Sequence, residues 1–204
     1  MKQFVVTGTD TGIGKTVFAA ALTQALGGIY WKPVQAGLDG ETDTQIVARL
    51  SGRPVLPETY RFKLAASPHQ AAANEGVALD PSHLSLPQIT APLVVEGAGG
   101  LLVPLNEDTL FIDVFARWKV PLILCASTRL GTINHTLLSL EAIRARDIPL
   151  LGIAFIGQAN DESERIIGKF GNAKRLGRLD PVVPLTKENL ARAFAAGFAL
   201  EDFA

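Results

Sequence analysis

Between Gly8 and Thr16 the chain reads Gly8-Thr9-Asp10-Thr11-Gly12-Ile13-Gly14-Lys15-Thr16. A strand-like run precedes this segment and a helical period follows it, which is the setting a phosphate loop requires. Glycines let the backbone turn successive amides toward phosphate oxygens, and the start of a helix adds a favourable field for an anion. The chemistry this predicts is nucleoside triphosphate binding. Gly12, Ile13, Gly14, Lys15, Thr16 and Val17 form the cradle, Lys15 reaches the β- and γ-phosphates, and the Thr16 hydroxyl ligates magnesium. Five residues separate Gly8 from Gly14, one more than the usual pattern. The competing reading is a glycine-rich turn with a helix-capping lysine.

Three further residues could complete a phosphoryl-transfer site. Lys32, in Tyr30-Trp31-Lys32-Pro33-Val34, stands where a second strand ends. It could offset negative charge on a transferring phosphoryl group; taken alone it could equally be a solvated lysine. Asp43 opens a helix and could be only an N-cap. Glu96 ends the apolar run Leu93-Val94-Val95-Glu96 and precedes Gly97-Ala98-Gly99-Gly100. An acid there in a phosphate-loop protein sits near the metal. Magnesium takes oxygen ligands, so Thr16, Asp43 and Glu96 form the expected metal set. The small residues after Glu96 leave room for a substrate.

The elements that must position these groups alternate. Strands are expected at Gln3 to Thr7, Ile29 to Val34, Leu93 to Glu96, Pro121 to Ser127, Leu150 to Ile156 and Leu176 to Leu179. Helices are expected at Lys15 to Leu26, Asp43 to Leu50, Ile133 to Arg146 and from Lys187 onward. Apolar strands separated by helices predict an α/β fold with a mostly parallel sheet covered on both faces, of the P-loop NTPase type. Ligands then bind beyond the carboxyl ends of the strands. Residues 51–88, with several prolines and weak periodicity, are expected to hold short helices. No repeat or linker breaks the chain, so 1–204 reads as one domain.

Composition removes other classes. The 204 residues are 48% hydrophobic and 19% charged, with a net charge of -1. That provides a core without a basic footprint for nucleic acid or an anionic membrane. No apolar stretch is long enough to span a bilayer, and the first residues lack a signal-peptide pattern. The single cysteine, Cys125, lies in an apolar run and reads as a small buried hydrophobe. The expected compartment is the cytoplasm. His69 and His83 read as solvated or capping residues, His135 as part of a helix start, and Trp31 and Trp118 as packing residues.

Taken in order, these motifs resemble the dethiobiotin synthetase family. They are Gly8-Thr9-Asp10-Thr11 with Gly14-Lys15-Thr16, Lys32-Pro33-Val34, Asp43, Ser67-Pro68-His69, Glu96-Gly97-Ala98-Gly99-Gly100 with Pro104-Leu105, and Leu130-Gly131-Thr132-Ile133-Asn134-His135. The longer glycine spacing also matches that family. The resemblance implies an ATP- and magnesium-dependent ligase of biotin biosynthesis. One amine of 7,8-diaminononanoate takes up carbon dioxide as a carbamate. The carbamate attacks the γ-phosphate, and the second amine closes the ureido ring and expels phosphate. It implies a homodimer with sites at the subunit interface. Lys15, Lys32 and Thr11 would act in catalysis. Thr11, Lys32 and the Gly97, Ala98, Gly99, Gly100 backbone would hold the diamine end. Gly131 and Thr132 from the neighbouring subunit would bind the distant carboxylate, with Asn134 supporting that turn.

The chain departs from the family's pattern in three places. Gly12 stands where many relatives carry glutamate, and Ala36 where many carry serine. Ile156-Gly157-Gln158 replaces an asparagine that reads adenine, and Asn160 lies too far along to replace it. Base preference is thereby left open, and other nucleoside triphosphates remain candidates beside ATP. Val183-Pro184-Leu185 is a candidate wall of the base pocket. The rival functions are a partitioning or positioning ATPase and a fragment of an amidotransferase-type cofactor synthetase. The first usually carries an extra lysine early in the loop, where this chain has Thr9 and Asp10. The second carries a glutaminase domain with a reactive cysteine.

Overall fold

A computed structural model describes residues 2–203. In chain order its elements are β1 (Gln3–Gly8), α1 (Lys15–Ala25), β2 (Ile29–Trp31), β3 (Val34–Ala36), α2 (Asp43–Ser51), β4 (Val55–Leu56), β5 (Tyr60–Phe62), α3 (Pro68–Asn74), β6 (Leu93–Gly100), α4 (Phe111–Trp118), β7 (Leu122–Ser127), α5 (Thr132–Arg144), β8 (Leu150–Ile156), α6 (Asp161–Gly171), β9 (Arg175–Leu179) and α7 (Lys187–Gly197). Short 3-10 turns span Pro81–His83 and Leu200–Phe203. Seven strands pair in the order β4-β2-β6-β1-β7-β8-β9, and every pair is parallel. β3 and β5 form a separate parallel pair.

Both faces of the sheet are covered, as continuous apolar strands require. Successive strand side chains point to opposite faces, and the core divides accordingly. Phe4, Val6, Tyr30 and Val94 pack under α1, α2 and α7, against Phe18, Val47, Leu50 and Phe194. Val5, Trp31, Leu93 and Val95 face the other helices, represented by Ala71, Phe111, Phe115, Leu140, Ile143 and Ile167. Trp31 and Trp118 pack 6.0 Å apart, as packing residues should. Cys125 is fully buried beneath α1's side of the sheet.

Several expectations are corrected. The strand expected over Ile29 to Val34 divides: β2 ends at Trp31, and β3 begins at Val34 in the smaller pair. Pro33 has no N–H to continue a ladder, so the chain leaves the main sheet there. In the main sheet, β6 lies between β2 and β1. Lys32 therefore reaches the phosphate loop by way of Glu96. Glu96 does not end its strand, because β6 continues to Gly100. Residues 51–88 hold α3 and a 3-10 turn, but also the short strands β4 and β5. Two helices, α4 and α6, complete the layers without having been foreseen.

Candidate active site

The site gathers at the carboxyl ends of β1, β2 and β6. Strand registry explains how. Tyr30 pairs with Val94 and Trp31 with Val95, so Lys32 follows one step on, level with Glu96. Val6 pairs with Glu96 from the other side. The alternation that turns Tyr30 and Val94 toward α1 turns Lys32 and Glu96 the same way. The first turn of α1 then brings Thr16 onto them.

The contacts form one connected cluster. The Thr16 hydroxyl lies 3.0 Å from Asp43 Oδ1 and 2.9 Å from Glu96 Oε1. Lys32 Nζ lies 2.7 Å from Asp43 Oδ2, 3.2 Å from Glu96 Oε1 and 3.4 Å from the Gly97 carbonyl. An ammonium has three donors, and each has an acceptor here. Tyr30, fully buried, donates to Glu96 Oε2 at 2.8 Å. Asp43 is not the helix cap: Thr42 is, accepting from the Gln45 amide while Gln45 returns a bond to Thr42 N. That capping box fixes the start of α2. Gln35 accepts from the Asp43 amide at 3.3 Å, which ties the β3 segment to the same turn.

These surroundings push the titrating groups in different directions. Burial opposes the charge on Lys32, but Glu96 and Asp43 outweigh it and hold the ammonium above its ordinary range. Burial likewise opposes the Asp43 carboxylate, yet Lys32 and Thr16 hold it below its usual range. Lys15 goes the other way: burial, aided by the charge on Lys32, brings it down against the pull of Glu96. Burial, with Glu96 adding to it, raises the Tyr30 phenol well above its normal value, so it stays a donor.

The oxygen cluster fits a small divalent cation. One hydroxyl proton cannot serve both carboxylates, so one of the two Thr16 contacts sets oxygen against oxygen with no hydrogen between them. Magnesium holds oxygens about 2.0–2.1 Å away in an octahedron, which sets neighbouring ligand oxygens about 2.9 Å apart. The Thr16 contacts have that spacing. Two carboxylates and a hydroxyl are a normal share of protein ligands when phosphate oxygens complete the set.

The loop fits a polyphosphate. Gly12 and Gly14 have φ of 70° and 98°, which favours glycine. α1 has no side-chain cap and no acidic residue in its first turn, so its free amides face outward unopposed. Lys15 Nζ donates to the Asp10 carbonyl at 2.6 Å, folded back over the loop. Beside the loop, a cavity of 680 Å³ is walled by Ile13, Gly14, Val17, Ile156, Leu179, Val182 and Leu185, among others. Of the expected base-pocket tripeptide only Leu185 takes part; Val183 is exposed. Asn160 lines this cavity, but its Oδ1 accepts from Ser163 N and its Nδ2 donates to the Thr128 carbonyl. Its Oδ1 caps α6, and its Nδ2 ties that helix start to the turn after β7.

A second cavity, of 410 Å³, opens on the other side of the cluster. Thr11, Lys32, Gln35, Asp43, Ser67, Ala98 and Gly99 are among its walls. Gly97 reaches Lys32 through its carbonyl, and Gly100 lines a neighbouring cleft that also includes Thr11. Gly131, Thr132 and Asn134 are not among the walls of the Lys32 cavity within the chain. Gly131, at φ 96°, precedes α5, which has no side-chain cap and no acid in its first turn. Tyr30 and Gln35 were not foreseen as members of the site. Alternation in the strand, which puts Tyr30 on the face of Lys32, was the available signal for the first.

Residues 2–189 match the family model described as AAA domain. Among solved structures, the chain is similar to the cell division ATPase MinD of Pyrococcus furiosus, with a TM-score of 0.60, 12% identity and 95% of each chain covered. It is also similar to a ParA family ATPase from Chlorobium tepidum, with a TM-score of 0.55, 10% identity, and 96% and 91% covered. At such identities the likeness shows the fold. Sequence relatives are far nearer. The ATP-dependent dethiobiotin synthetase BioD of Nitrobacter hamburgensis is 61% identical, over 98% of this chain and 96% of its own. That of one strain of Rhodopseudomonas palustris is 62% identical, over 99% and 96%. The one from Brucella melitensis is 58% identical, over 99% and 97%. With identity of 58–62% over nearly the whole chain, this protein belongs to the ATP-dependent dethiobiotin synthetase family.

Proposed function

We propose that the chain makes dethiobiotin, closing a ureido ring on 7,8-diaminononanoate with carbon dioxide at the expense of ATP. The observation that carries the reading is the placement of Lys32. Its ammonium joins Asp43 to Glu96 and also lines the cavity beside Thr11. It is thus positioned between a metal-type oxygen cluster and a space for an organic substrate.

The residues divide the work by position. Gly12, Ile13, Gly14 and Lys15 hold the phosphates, and Val17 helps wall the nucleoside cavity. Thr16, Asp43 and Glu96 hold magnesium, which supplies positive charge to the triphosphate when bound. Lys32 and Lys15 offset charge on the carbamate and the transferring phosphoryl group. The carbamate oxygen bonds to the γ-phosphorus and ADP leaves; the second amine then bonds to the carbamoyl carbon and phosphate leaves. Thr11 and the Gly97, Ala98, Gly99, Gly100 backbone hold the diamine end. We place the carboxylate end of the substrate at Gly131 and Thr132 of a second copy, with Asn134 supporting the turn, so the working unit is a homodimer. The start of α5 has no side-chain cap, which supports this role, although the Thr132 amide itself donates to the Arg129 carbonyl and the open donors are those one and two residues on. Residues 1–204 act as one ligase domain, free of nucleic acid and membrane partners, in the cytoplasm. Among the described residues no helix is long and apolar enough to cross a membrane. Because both ends of the Asn160 amide are already engaged, base preference stays open, and other triphosphates are candidates beside ATP.

A diamine-dependent assay tests the reading. Protein, magnesium, bicarbonate and the diamino acid are mixed with each nucleoside triphosphate in turn. The expected result is ureido product with matching phosphate release, only when the diamine is present. Lys32→Gln should keep nucleotide binding and lose nearly all turnover. Phosphate release indifferent to the diamine, without ureido product, would instead indicate a plain ATPase.

A further inference from the structure

Glu96 is 1% exposed and uses its two oxygens differently. Oε1 faces Thr16 at 2.9 Å and Lys32 at 3.2 Å. Oε2 has one partner, the hydroxyl of Tyr30 at 2.8 Å. Tyr30 is fully buried in β2, next to β6, and packs in the core under α1. It touches no cavity wall described above, so it has no route to substrate. A buried phenol usually needs an acceptor, but many backbone carbonyls could have served. Here the proton goes to the one carboxylate oxygen turned away from the cluster.

We propose that Tyr30 is a positioning residue for the divalent cation. By engaging Oε2, it fixes the plane of the Glu96 carboxylate and presents Oε1 alone to Thr16 and Asp43. Without that bond the buried Oε2 loses the one partner it has among the described residues. The carboxylate gains by turning, and Lys32 is the nearest donor it can turn toward. Turning would bring both Glu96 oxygens into the ammonium's reach and take Oε1 out of line with Thr16 and Asp43. Partners of this kind, which orient a metal-binding carboxylate from behind, typically change metal affinity about 10–100-fold when removed. The inference rests on the magnesium site proposed above, but not on the identity of the organic substrate.

The test is Tyr30→Phe, which keeps the buried ring and removes one oxygen. Manganese binding is followed by electron paramagnetic resonance, in the presence of a non-hydrolysable ATP analogue. The analogue's own affinity is measured without metal. The expected result is manganese binding weakened about tenfold or more, with metal-free analogue affinity nearly unchanged. In the ring-closing assay the magnesium needed for half-maximal rate should rise by a similar factor. Unchanged manganese affinity overturns the proposal, and so does an equal loss of metal-free analogue binding, which would mark a general structural defect. Wild-type protein that binds manganese and nucleotide but forms no ureido product would defeat the ring-closure reading; the Tyr30 proposal would still be judged by manganese alone. If Tyr30→Phe does not fold, the chain's having only two tyrosines allows another route. In Tyr60→Phe protein labelled with 3-fluorotyrosine, the single fluorine resonance reports on Tyr30. It should shift as magnesium is added to the nucleotide complex; a resonance unmoved at saturating metal overturns the proposal.

Discussion

Lys15 and Lys32 carry the same charge in the same cleft, yet their surroundings drive them apart. Lys32 sits against two carboxylates, which hold its ammonium above the ordinary lysine range. Lys15 is buried and held below its ordinary value, with a carbonyl as its hydrogen-bond partner. A polyphosphate would reverse this by favouring the ammonium form, so Lys15 should gain proton affinity when nucleotide binds. The sign follows. Between the free and bound values, binding takes up a proton, and affinity falls as pH rises. Calorimetric titrations in two buffers of different ionisation enthalpy should show proton uptake in the alkaline range, and Lys15→Arg should abolish it. Proton release, or none, would contradict the assignment. At this scale the sequence was informative for charged groups and silent on their neutral supports. Lys15, Thr16, Lys32, Asp43 and Glu96 stand out because charge and hydroxyl have few reasons to lie beside glycine turns and strand ends. Tyr30 in an apolar strand looks like any core residue. Its partner is 66 positions away, and only the pairing of β2 with β6 brings the two together.

Elements are legible where one period dominates. β1, α1, α2, β7, β8 and β9 lie within a residue or two of expectation, because their apolar residues repeat cleanly and glycine or proline punctuates their ends. α4, only eight residues long, was missed although Phe111, Ile112, Val114, Phe115 and Trp118 recur at helical spacing. α6 was missed for a different reason: its first turn holds Asp161, Glu162 and Glu164, and that polarity hides the one-sided apolar stripe of Ile166, Ile167 and Phe170. Much of what fixes α6 is electrostatic and non-local, since buried Glu164 meets both Arg175 and Arg178 of β9. The junction of β1 with α1 shows how tightly an element boundary can be specified. A β-carbon on Gly14 would lie 2.8 Å from Ile156 Cγ2, and φ there is 98°. Gly14→Ala should therefore lose about 1–2 kcal/mol from backbone conformation alone, and displace Ile156 from the nucleoside cavity. Urea unfolding should show a stability loss of that order. Nucleotide affinity should fall further than Gly12→Ala makes it fall, because a β-carbon on Gly12 meets nothing within 4 Å.

At the scale of the whole molecule, several large apolar side chains are left exposed near the site. Leu102, Leu130 and Leu138 are 54%, 106% and 56% exposed. Leu102, Leu138 and His135 line a cleft of 440 Å³ whose opposite wall includes Thr9, Asp10 and Thr11. Thr11 also lines the Lys32 cavity, so this surface runs directly into the proposed reaction site. The dimer proposed above would cover the two exposed leucines of this cleft. Gly131 and Thr132 explain why the reaction should depend on that cover. They begin α5 but are not among the walls of their own chain's Lys32 cavity, which is why the proposed dimer would set them on a substrate held in the other copy. Leu138→Asp tests both claims with little risk to the fold, since the side chain it replaces is already more than half exposed. Sedimentation velocity should show a dimer for the parent chain and a monomer for the variant. The monomer should bind nucleotide normally, because the loop and its cavity come from one chain. Its KM for the diamino acid should rise about tenfold or more, the scale of one lost hydrogen bond to a charged group at about 1.5–3 kcal/mol. A monomer that keeps its KM would assign the substrate carboxylate to groups within a single chain.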